Sequence, residues 1–70
     1  MAYFKIVEPN KPTKYIKTVD ALNEKLTFST NRDGCHYKTD GYYANAEVDY
    51  LKFHFMEKYP ELKYMKKDTY

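Results

Sequence analysis

Residues 39–55, Thr39-Asp40-Gly41-Tyr42-Tyr43-Ala44-Asn45-Ala46-Glu47-Val48-Asp49-Tyr50-Leu51-Lys52-Phe53-His54-Phe55, carry the densest structural signal in the chain. They read as a turn, a short aromatic strand, a capped start and an amphipathic helix. Asp40-Gly41 supplies a turn dipeptide, because Gly accepts the positive φ that tight turns need. Asn45 is a good N-cap, and Glu47 and Asp49 stand in the first turn, where the helix dipole favours negative charge. The helix is expected from about Ala46 to Lys58, since Tyr59 precedes Pro60 and is pushed out of the α region. Val48, Leu51, Phe55 and Tyr59 recur at helical spacing and form the expected core stripe. Tyr50 and Phe53 fall on the other side, either under a neighbouring segment or as an exposed patch for a partner.

Working outward, Ala2 to Val7 is rich in aromatic and β-branched residues and ends at Pro9-Asn10, which predicts a first strand. Tyr15 to Val19 and Leu26 to Thr30 are two further strands, the latter with Leu26 and Phe28 alternating against polar neighbours. Asp20-Ala21-Leu22-Asn23-Glu24 between them is a hairpin loop or a single helical turn. Asn31-Arg32-Asp33-Gly34 is a turn. Cys35 to Lys38 and Tyr42 to Ala44 flank the second Asp-Gly as a short hairpin or a kinked strand. The fold class is therefore α+β, a small antiparallel sheet of three to five short strands with one main C-terminal helix. Residues 1–60 form the single domain, and 61–70, with Lys63, Lys66 and Lys67 among Tyr64, Met65 and Tyr70, have no clear period and read as a basic aromatic tail or arm.

A chain of 70 residues makes one domain, and at that size only about 60% of the unfolded surface is buried. Small cores are usually reinforced by disulfides, a metal or oligomerisation. Cys35 is the single cysteine, so an internal disulfide is excluded and docking on a partner, a second copy of the chain included, is the expected support. With nine Tyr, four Phe and no Trp, tyrosine has to serve as core, and its hydroxyl favours half-wet positions such as sheet faces and interfaces. No apolar run is long enough to cross a membrane, and the first residues lack the pattern of a signal peptide, so the sequence reads as a soluble protein made in a cytoplasm.

Chemistry-bearing constellations are sparse. Cys35, His36 and His54 are the only soft or imidazole ligands, and the paired spacings of a structural zinc site are missing. Adjacent Cys35 and His36 in a strand point to opposite faces, which argues against a thiol nucleophile with its base. Asn31, Asp33 and Asp40 do not align as a calcium loop. No acid and base pair stands out, so neither metal, cofactor nor enzymatic activity is expected. Lys14-Tyr15, Tyr37-Lys38, Lys58-Tyr59 and Lys63-Tyr64 set ammonium groups beside rings, as single-strand binders do. Yet the net charge is +2, acids are interspersed throughout, and Arg32 is the one arginine among 12 basic residues. That composition argues against nucleic acid as the partner.

Lys38-Thr39-Asp40-Gly41-Tyr42-Tyr43 followed by Asn45-Ala46-Glu47-Val48-Asp49-Tyr50-Leu51 resembles a pattern in small tailed-bacteriophage proteins. That pattern is an aromatic strand with a Gly turn, a polar cap, an acidic first helical turn and a hydrophobic-x-x-Leu core contact. Asn45 stands where Thr or Asp is typical. The resemblance, confined to residues 38–55, implies an accessory protein of the virion head or neck docking between larger subunits. Besides a weak nucleic-acid-binding protein, which the composition disfavours, the other class left open is a phage-encoded inhibitor of a host protein. Either would act in the virion or the bacterial host cytoplasm and touch protein rather than membrane. The expected partner surface is Tyr50 and Phe53, with Tyr64, Met65 and Tyr70 as neighbours.

Overall fold

A computed structural model describes residues 1–69. Its architecture is a four-stranded antiparallel sheet with one main helix on one face, the α+β class expected. The strands are β1 (Ala2–Ile6), β2 (Lys14–Asp20), β3 (Lys25–Ser29) and β4 (Met65–Thr69), in the spatial order β3-β2-β1-β4. The helix α1 spans Ala44–Phe55. Strand alternation sends Ala2, Phe4 and Ile6 of β1 inward and leaves Tyr3 and Lys5 half-buried. Phe4 and Ile6 meet Ile16, Leu26, Leu51, Phe55, Leu62 and Met65 in one continuous core.

Between β1 and β2 the pairing is short, Lys5 with Tyr15 and Ile6 with Lys14. Beyond it β2 bulges between Ile16 and Thr18, and the segment that follows Cys35 wedges into the gap. The carbonyl of Lys17 accepts from the backbone N–H groups of His36 and Tyr37 at 3.1 and 3.0 Å, and Ala2 and Thr39 exchange bonds of 2.8 and 3.0 Å. The wedge satisfies backbone groups that the bulge would otherwise orphan.

Neither Asp-Gly pair forms a tight hairpin with positive φ. Positive φ falls on Asn10 and Glu24 instead, at 62° and 53°. Arg32–Gly34 and Gly41–Tyr43 are 3-10 turns, each opened by an Asx cap: Asn31 Oδ1 accepts from the Asp33 N–H and Asp40 Oδ1 from the Tyr42 N–H, both at 3.0 Å. The aromatic strand expected over Tyr42 to Ala44 is thus a helical turn that runs directly into α1. Asn45 consequently lies inside the helix, and Asp40 does the capping one turn earlier. Asp20 makes the same kind of cap in the β2–β3 hairpin, accepting from the Asn23 N–H at 3.2 Å.

The helix ends at Phe55, three residues before the expected Lys58. Tyr59 is held at φ −124° by the following Pro60, and its hydroxyl accepts from the Leu26 N–H at 3.1 Å. Residues 56–59 are therefore spent turning the chain toward Pro60–Tyr64, a 3-10 turn whose Leu62 is fully buried. The stretch read as a tail then becomes β4, which pairs with β1 along its whole length, from Ala2 with Thr69 to Ile6 with Met65. Its physical reason is that β1 would otherwise expose an unpaired edge, and Leu62 and Met65 complete the core beneath it. Tyr70 lies outside the described residues.

Candidate partner-binding surface

On α1 the buried residues are Ala44, Leu51 and Phe55, with Val48 half-buried beside them. At 100° per residue, the opposite side carries Ala46, Asp49, Tyr50 and Phe53. Phe53 is 86% exposed and Tyr50 40%. The preceding 3-10 turn extends this stripe, because Tyr42 and Tyr43 are 86% and 57% exposed. Their rings meet edge-to-face with centroids 5.0 Å apart. His54 lies 4.5 Å from the Tyr50 ring and 5.1 Å from Phe53, so the aromatic groups support one another rather than lying scattered. Positions 43, 46, 50 and 53 follow the three-four spacing of a helix seam. Asp49 within the stripe and Glu57 just beyond the helix give it an acidic rim.

The helix is anchored beneath this surface by Tyr37. Its ring packs on Phe4 with centroids 5.5 Å apart, and its hydroxyl donates to the Glu47 carboxylate in the first turn of α1. Burial pushes the Tyr37 phenol well above its ordinary range, and the hydrogen bond and charge of Glu47 push it the same way. Neutral Tyr37 therefore pins the end of α1 that presents Tyr42 and Tyr43.

Met65 and Tyr64, also expected at the partner surface, do not join it. Met65 is 4% exposed, since its register opposite Ile6 turns it into the core. Tyr64 is half-buried, with the Lys63 ammonium 5.1 Å from its ring centroid. It lines a separate open groove of about 640 Å³ with Pro12, Pro60 and the ion-paired Lys14 and Glu61. There Lys14 Nζ lies 3.1 Å from Glu61 and 4.2 Å from the Phe28 ring centroid. Burial raises the Glu61 pKa, but hydrogen bonds from its own backbone and Lys14, with the charges of Lys14 and Lys11, outweigh it and hold the carboxyl low.

Cys35 is buried and its thiol lies 3.6 Å from the Asn31 carbonyl. Burial pushes its pKa up, against the opposing pull of Lys17, so the thiolate that nucleophilic chemistry requires is disfavoured. Among the described residues no group of three His, Cys, Asp or Glu side chains is placed to hold a metal ion, and no helix is long and apolar enough to cross a membrane.

Tyr42 and Tyr43 are the surface residues that the strand reading missed. Asp40 as a cap, followed by aromatic residues in phase with Tyr50 and Phe53, was the available signal. No protein-family model, no curated protein and no solved structure matches this chain.

Proposed function

We propose that this protein is a non-enzymatic binding and assembly module that docks the aromatic face of α1 onto a larger protein. The observation that carries the reading is the run of exposed rings from Tyr42 to Phe53 on a helix whose other side is locked into the core. Rigid aromatic groups gain interface energy at low entropic cost, and a patch of this size on so small a domain favours coverage. The acidic rim at Asp49 and Glu57 suits a partner surface that is apolar at its centre and basic around it. The resemblance of residues 38–55 to tailed-bacteriophage proteins points to a head or neck virion accessory seated between larger structural subunits. The same acidic, aromatic surface also suits a phage-encoded inhibitor covering a basic site on a host protein.

Purified particles and a pull-down from host extract, both read by mass spectrometry, separate these two partners. A virion accessory travels with particles in many copies, and an inhibitor stays with its host target. Either way, Tyr50→Ala with Phe53→Ala should weaken association by about 2 kcal/mol or more while the monomer stays folded. Undiminished association by a folded double variant would refute the assignment of the surface.

A further inference from the structure

The sheet face turned away from α1 carries a second, chemically different surface. In register across all four strands stand Ser29, Tyr15, Lys5 and Lys66, a row about 14 Å wide at the usual strand spacing. One step along, Tyr3 of β1 stands opposite Asp68 of β4, with the Arg32 guanidinium 5.9 Å from the Tyr3 ring centroid. Lys17, in the bulge two residues beyond Tyr15, is exposed. Lys5 and Lys66 oppose each other directly, and like charges so placed destabilise a sheet. Neither makes an ion pair among the described residues. Asp68, the carboxylate beside them, accepts from the Tyr15 hydroxyl at 3.2 Å, a bond that reaches from β2 across β1 to β4 and holds the ring over the row.

We propose that this face binds single-stranded nucleic acid, with Tyr15 offering a stacking surface to a base and Lys5, Lys66 and Lys17 contacting phosphates. A repulsive lysine pair retained beside an aromatic ring is a local cost that a polyanion relieves. The ring gives it a base to stack that a plain anion lacks. An unpaired base is required for that stacking, which selects single strands over duplex. Base edges go unread, so binding is indifferent to sequence. Charge counted along the chain argued against such a partner, because lysines and acids alternate there. The fold gathers Lys5, Lys17 and Lys66 on the sheet side, with Asp68 the carboxylate among them, while Asp49 and Glu57 stand on the helix side.

The test is fluorescence anisotropy of labelled oligothymidine at low salt, repeated across a salt series. Three phosphate contacts predict a log–log salt slope of about −2. Lys66→Gln should reduce the slope by about 0.7 and weaken binding several-fold, while raising the melting temperature because the lysine pair is relieved. Tyr15→Phe keeps the ring but loses the Asp68 bond that positions it and should weaken binding only about twofold, whereas Tyr15→Leu should lose roughly tenfold. Lys52→Gln on α1 should change nothing. The proposal is overturned by no binding at low salt, by equal affinity for duplex or polyglutamate, or by Lys66→Gln binding like the parent. Should Tyr15→Leu fail to fold, the Lys66→Gln pair of readouts decides.

Discussion

Two substitutions on the same helix, two residues apart, test the orientation of α1. Leu51 is fully buried and Phe53 is 86% exposed. Leu51→Ala removes three buried carbons, about 2.4 kcal/mol at 0.8 per methylene. The cavity left among Phe4, Phe55 and their neighbours brings the total to about 3–4 kcal/mol. A domain of 70 residues has a total stability of roughly 3.5–10 kcal/mol, so this variant loses from about a third to all of it and should unfold at a much lower urea concentration than the parent. Phe53→Ala makes the same change toward a better helix former but empties no core, and should stay within about 0.5 kcal/mol of the parent. Urea titrations followed by tyrosine fluorescence and far-ultraviolet circular dichroism report both. If Leu51→Ala unfolds at the parent's midpoint, or Phe53→Ala loses stability comparably, the helix has been set on the sheet by the wrong face.

Two more outcomes follow from the tertiary contacts. The phenol of Tyr37 is raised above its ordinary 10.0, so the stability it contributes is complete below pH 10 and drains as pH rises through the folded value. Absorbance at alkaline pH should show Tyr37 ionising only with unfolding, and Tyr37→Phe should abolish that coupling and cost about 0.5–1.5 kcal/mol at neutral pH. Ending the chain after Lys63 should leave an aggregating or unfolded product, because it removes β4 and buried Met65 together; a well-dispersed NMR spectrum from that truncation would show that residues 64–70 belong to the tail or arm that the sequence suggested for 61–70.

Local chemistry was legible in the sequence wherever one interaction range dominates. Strand alternation from Ala2 to Ile6, the helical phase of Leu51 and Phe55, and the outward placement of Tyr50 and Phe53 each depend on periods of two or 3.6 within a few residues. These placed one helix against a small antiparallel sheet. The Asp-Gly pairs were read as turns, but an Asx cap competes with a positive-φ glycine for the same dipeptide. Only the neighbouring geometry chose the cap, moving the helix start back to Ala44.

What the tertiary structure alone decided is pairing over long separations. Met65 and Lys66 give no periodic signal of their own, and they become strand because β1, more than fifty residues earlier, has an edge that needs partners and a core that needs Met65. The same pairing took Met65 out of the expected partner surface. It also set Lys66 against Lys5 and beside Tyr15, with Asp68 on the same face. Composition determined how much charge and how many rings this protein has; where they gather follows from strand register, which the hydrogen-bonding needs of a distant edge impose.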